Sequence, residues 1–148
     1  MGTRSTIHFY NDGINVMNIY TQYDGYLEGV GKQILDFFEN KENRGNGIQD
    51  DALLYVLKYK DGAYNMYATT EINQQEYNYY IYSSYDEKKK EHILEFRVTR
   101  EGWFDSIKKF GIITLLNCGT FEDFKRLIEN GEDAIDDSST ISDDDLPF

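Results

Sequence analysis

Two strand-turn-strand signals within the first hundred residues constrain this chain more than anything else in it. The first runs from Thr3 to Tyr10, rich in β-branched and aromatic residues, breaks at Asn11-Asp12-Gly13, and resumes from Ile14 to Tyr23. The second joins Tyr77–Tyr85 to His92–Arg100 across the charged segment Asp86-Glu87-Lys88-Lys89-Lys90-Glu91. Runs of this composition separated by short polar breaks form β-hairpins. A further Tyr-rich run, Ala63 to Thr70, follows the Asp61-Gly62 turn signal and is the candidate for a fifth strand.

Between and after the hairpins the apolar period changes from two to about 3.6. Val30, Ile34, Leu35, Phe37 and Phe38 mark one helix that starts in a glycine-bearing loop. Asp50 and Asp51 stand where caps are expected for a second helix through Ala52, Leu53, Leu54, Val56 and Leu57. Trp103 to Phe110 is predicted as a short helix. A clearer one follows Thr120, with Phe121, Phe124, Leu127 and Ile128 on one face and Gly131 as its stop. The fold class that follows is α+β: an antiparallel sheet of two hairpins plus a possible fifth strand, packed by two or three helices. An apolar share of 40%, with 16% aromatic residues, is enough for one packed domain over residues 1–131.

From Glu132 the composition becomes Asp, Ser and Thr. Seven acidic residues and no Lys or Arg fall in 132–148, more than half of the formal net charge of -12. A segment with so few apolar residues is expected to be a disordered acidic tether ending in a docking tip. The overall charge repels a phosphate backbone, so direct duplex DNA binding is not expected. Cys118 is the only cysteine and lies in the apolar stretch Ile112–Cys118. No disulfide is available within the chain, and Cys118 is expected to be a core thiol rather than a nucleophile. With neither an apolar leader nor a membrane-length apolar run, the expected location is the cytoplasm of a bacterial host cell.

The last six residues, Asp143, Asp144, Asp145, Leu146, Pro147 and Phe148, combine three carboxylates, an aliphatic residue, the only proline in the sequence and a terminal phenyl ring. The ring suits an apolar socket, the free α-carboxylate suits a bidentate Arg, and the aspartates suit a basic rim. Pro147 lowers the ordering cost. This heptad, counted from Ser142, closely resembles the acidic tip of bacterial single-stranded DNA-binding proteins. That tip recruits recombination mediators, helicases, primase and exonucleases. The resemblance implies partners among bacterial DNA-maintenance proteins that read such a tip. It stops at the tip, since the body shows no oligonucleotide-barrel pattern and no basic groove. A solvated acidic tail, or a tail covering a groove on its own body, are the competing readings.

The N-terminal region carries a second pattern. Thr3-Arg4-Ser5-Thr6-Ile7, followed by Tyr20-Thr21-Gln22-Tyr23-Asp24-Gly25-Tyr26-Leu27-Glu28-Gly29-Val30-Gly31, resembles a family of small phage and bacterial proteins with a Thr-Arg start and a Tyr-x-Gln-Tyr-Asp-Gly-Tyr-x-x-Gly-x-Gly motif. Leu27 departs from it, because proline is usual there. No activity comes with this resemblance. Glycines just before a helix permit close backbone approach and leave N–H groups for an anion. Arg4, Asp24, Gly25, Gly29, Gly31 and Lys32 therefore form a possible anion or nucleotide site, set against a plain turn and helix cap.

Catalytic constellations are not visible. His8 and His92 are the only histidines, and neither has metal-ligand or nucleophile-elbow spacing. The expectation is a non-enzyme with no cofactor and no metal. Its function is expected to be protein–protein interaction, as a phage or mobile-element accessory protein that docks through the tip on host replication, repair or recombination proteins, recruiting or inhibiting them. The alternatives are an acidic DNA mimic that inhibits a nuclease or defence enzyme, and a nucleotide-binding protein that uses Asp24–Gly31.

Overall fold

The computed structural model describes residues 3–59, 66–69, 75–104, 109–131 and 140–141. Both hairpins are present. Strand β1 (Ser5–Asn11) pairs antiparallel with β2 (Ile14–Thr21), and the turn residues Asp12 and Gly13 both have positive φ. That is the left-handed pair a two-residue hairpin turn requires. After a π-helical turn (Leu27–Gly31) come helix α1 (Lys32–Glu39), a short 3-10 turn (Lys41–Asn43) and helix α2 (Ile48–Tyr59). Strand β3 (Met66–Thr69) pairs with β2, which places the expected fifth strand. The second hairpin is β4 (Tyr77–Asp86) with β5 (Glu91–Phe104). Strand β6 (Lys109–Gly119), helix α3 (Phe121–Asn130) and the two-residue strand β7 (Thr140–Ile141) follow.

The fold is α+β. Among the described residues, seven strands form one sheet in the order β3-β2-β1-β4-β5-β6-β7. The sheet is mixed rather than wholly antiparallel. The two hairpins meet through a parallel β1–β4 pairing that runs from Ser5 against Tyr77 to Asn11 against Ser83. Parallel neighbours need a long crossover, and the stretch holding α1 and α2 supplies it.

Two local expectations are corrected. Where a short helix is expected over Trp103 to Phe110, the described residues are strand: β5 continues to Phe104, and Trp103 pairs with Phe110 and Phe104 with Lys109. The β-branched residues of β6, such as Ile112, Ile113 and Thr114, suit an extended strand, and pairing with β5 overrides local helix propensity. Helix α2 begins at Ile48, so Asp50 and Asp51 lie inside its first turn instead of preceding it. Ile141 pairs with Ile113 and Thr140 with Thr114. The sheet thus draws on two residues within the stretch where the sequence places the tether.

One face of the sheet carries the core. Ile7 and Phe9 of β1, Ile19 of β2, Tyr79 and Ile81 of β4, and Phe96 and Val98 of β5 are buried against the helices. Phe96 packs between α1 and α3, edge-on to Phe38 at 5.2 Å and stacked on Phe124 at 5.0 Å. Side chains of this size contribute about 2–3 kcal/mol each when fully buried. Helix α3 is held at both ends. Thr120 and Asp123 form a reciprocal capping box, and Gly131, with φ of 78°, donates its N–H to Leu127.

Candidate functional site

The Asp24–Gly31 segment shows where its backbone donors go. Gly25 N–H donates to Thr3 O at 2.9 Å, Gly29 N–H to Tyr26 O at 3.0 Å, Val30 N–H to Asp24 O at 2.8 Å and Gly31 N–H to Tyr26 O at 3.3 Å. Tyr79 Oη adds a 2.7 Å bond to Gly25 O. The glycines are explained by packing. A Cβ on Gly29 would lie 2.0 Å from Asp24 O, one on Gly25 2.5 Å from Ser5 Cβ, and one on Gly31 2.7 Å from Ile128 Cδ1. Asp24, at a positive φ of 55°, accepts from Tyr26 Oη, and Lys32 pairs with Asp36 at 3.0 Å. Arg4 is exposed, and its carbonyl accepts from Tyr77 N–H. The structure brings these residues together as a closed turn and helix lead-in. The N–H groups of Gly25, Gly29 and Gly31 are donated within the chain.

The residues of the expected docking tip, Asp143 to Phe148, lie outside the described residues. Their nearest described neighbours are Thr140 and Ile141 on the sheet edge.

A second glycine-bearing segment, Arg44-Gly45-Asn46-Gly47, leads into α2 and behaves differently. It borders a cleft of about 330 Å³ between the start of α2 and the β4–β5 hairpin. Gly47 O accepts the first helical bond, from Asp51 N–H at 2.9 Å, so Gly47 is the N-cap of α2. Glycine has no side chain to cap with. The N–H groups of Gly47, Ile48, Gln49 and Asp50 find no acceptor among the described residues. One turn earlier the chain is firmly held: Asp51, fully buried, accepts from Gly45 N–H at 2.8 Å and from Arg44 Nη2 at 2.8 Å. Arg44 also lies over the Phe38 ring at 5.1 Å. The floor of the cleft comes from Ser83 and Leu94, register partners on β4 and β5. Lys41 and His92 stand at its edge, and His92 meets the Tyr85 ring edge-on at 5.3 Å. No sequence motif singled out this stretch. The available signals were a glycine one residue before an apolar helical start and a serine in phase with Tyr79 and Ile81.

The sheet face opposite the helices holds a buried polar layer. His8 is hydrogen-bonded through both ring nitrogens, Nδ1 to Asn18 Oδ1 at 2.7 Å and Nε2 to Thr6 Oγ1 at 2.8 Å, and it stacks on Tyr80 at 4.8 Å. Thr6 reaches Asn78 Oδ1 at 2.7 Å. Burial lowers the His8 pKa below its ordinary value, against the opposing bond from Asn18, so the ring stays neutral near neutral pH. A histidine satisfied on both sides holds the sheet together and has no proton position to offer a substrate. Cys118 belongs to β6. Among the described residues, no three His, Cys, Asp or Glu side chains converge as a metal requires, and no helix is long and apolar enough to cross a membrane.

Fold and cleft together define an α+β protein with a mixed sheet and a polar cleft at an uncapped helix start. No family model, characterised protein or solved structure matches the chain, so what it does has to be argued from its own residues.

Proposed function

We propose that this chain works by docking: the segment Asp143–Phe148 inserts into an apolar, basic-rimmed pocket on a DNA replication, repair or recombination protein of a bacterial host. The observation that carries the reading is the order of residues, three aspartates and then Leu146-Pro147-Phe148, with the only proline of the sequence between the two apolar anchors. A segment serving only solubility gains nothing from those anchors. A docking peptide gains ring burial from Phe148 and a restricted backbone from Pro147. Similarity to the acidic tip of bacterial single-stranded DNA-binding proteins names the class of partner. A phage or mobile-element accessory protein carrying such a peptide recruits the partner when its pocket is otherwise empty and blocks it when the natural tip competes.

The pairing of Ile141 with Ile113 supports a short reach. The peptide starts two residues beyond that pair, and six extended residues span at most about 20 Å. The partner surface must therefore come close to the β7 edge of the sheet. The runner-up, a DNA mimic, wants an unbroken carboxylate stripe. On the helices, Asp36, Glu39 and Asp123 are instead paired with Lys32, Lys125 and Arg126.

The test is capture from a bacterial lysate with the full chain and with a chain lacking Leu146-Pro147-Phe148. DNA-maintenance proteins should be retained by the first alone and released by free peptide of sequence Asp-Asp-Asp-Leu-Pro-Phe. Identical catches from both chains would remove the reading.

A further inference from the structure

We infer that the cleft at the start of α2 binds the phosphate group of a small phosphorylated ligand, independently of the docking peptide. Two separate observations point there. The first is the open helix start: Gly47 and Ile48 border the cleft, their N–H groups have no acceptor among the described residues, and the positive end of the α2 dipole faces the same space. The second is Ser83. It is only 3% exposed, borders the cleft, and shares with Tyr79 and Ile81 the strand face that looks toward the helices. Its hydroxyl makes no hydrogen bond among the described residues and is not wholly cut off from the cleft. A hydroxyl so placed is free to donate to an acceptor that enters the cleft. An oxyanion lying between Ser83 and the α2 start supplies acceptors to the hydroxyl and to the backbone donors together.

The charges around the cleft fit a phosphate held on one side. Lys41 has no ion pair among the described residues and stands at the edge. Arg44 is already neutralised by Asp51 through its Nε and Nη2, which leaves it a positioning role. Asp50 opposes an anion, but it is exposed and accepts from Asn46 N–H at 3.3 Å on the flank of the loop. A full pyrophosphate would meet too little positive charge here; a single phosphate group meets Lys41, the hydroxyl and the backbone donors. The cleft volume of about 330 Å³ exceeds that of phosphate alone, and Ile48 and Leu94 border the remainder. An organic moiety on the phosphate would lie against those two side chains.

Gly47 makes the site testable without harming the fold. It does not adopt positive φ, and a Cβ there would meet no atom within 4 Å. Gly47→Asp would cap α2 while placing a carboxylate where the phosphate sits. Calorimetric titration of the full chain with inorganic phosphate at constant ionic strength should give saturable binding. Gly47→Asp should weaken it at least tenfold with no loss of thermal stability, and Ser83→Ala should weaken it severalfold. Removal of Leu146-Pro147-Phe148 should leave the affinity unchanged, which separates this site from the docking peptide. No saturation with the wild-type chain, or equal affinity in the wild-type, Gly47→Asp and Ser83→Ala proteins, would overturn the assignment.

Discussion

Two glycine-bearing segments each lead into a helix, Asp24–Gly31 into α1 and Arg44–Gly47 into α2, and they have opposite hydrogen-bond economies. In the first, the N–H groups of Gly25, Gly29 and Gly31 are all donated to carbonyls within the chain, and every glycine touches something a side chain would strike. In the second, Asp51 locks Gly45 in place, yet the N-cap Gly47 faces open space and four backbone donors around it remain unmatched among the described residues. Glycine before a helix is therefore no sign of anion binding in itself. The discriminating facts are where the N–H groups go and what a Cβ would meet.

Substitutions at the two segments should separate them cleanly. Gly29→Ala should have the largest effect: with Asp24 O only 2.0 Å from the new methyl group, the turn must open and the Val30–Asp24 bond must lengthen. A loss of about 3 kcal/mol in urea unfolding is expected. A harmless Gly29→Ala would mean that the first segment is not closed. Asp51→Ala should come next, at about 2 kcal/mol, because it strips Gly45 N–H and Arg44 of a charged acceptor while Arg44 can still turn toward water. Gly47→Ser should be smallest and opposite in sign, a gain of a few tenths of a kcal/mol from a serine cap. Any loss beyond about 1 kcal/mol there would show that Gly47 is needed for folding and would erase the contrast.

Much of the fold was legible because local signals agreed with their surroundings. Asn11-Asp12-Gly13 set the first turn, the apolar spacing of Ile34, Leu35, Phe37 and Phe38 set α1, and Thr120 with Gly131 bracketed α3. The parallel β1–β4 contact was not legible, since it depends on which strands the crossover brings together and leaves no mark on Ser5–Asn11 or Tyr77–Ser83. The strand through Trp103 was missed for a related reason: a 14-residue β5 paired with β6 outweighs a local helical reading. For the Asp24–Gly31 loop the sequence left both an anion site and a plain turn open. Its donors could not be assigned without Thr3, Tyr26 and Tyr79 in place. The cleft was illegible because Ser83 and Gly47 lie 36 positions apart and meet only when the second hairpin packs beside α2. The docking peptide is the reverse case, since all of its argument lies in the sequence of residues 143–148.

The difference between the two helix starts is most directly tested by following backbone amides one at a time in a heteronuclear NMR titration with phosphate. The amides of Gly47 and Ile48 should move in a saturable way while those of Gly25, Gly29 and Gly31 stay still. Movement at the first set of glycines, or stillness at Gly47 and Ile48, would contradict the account.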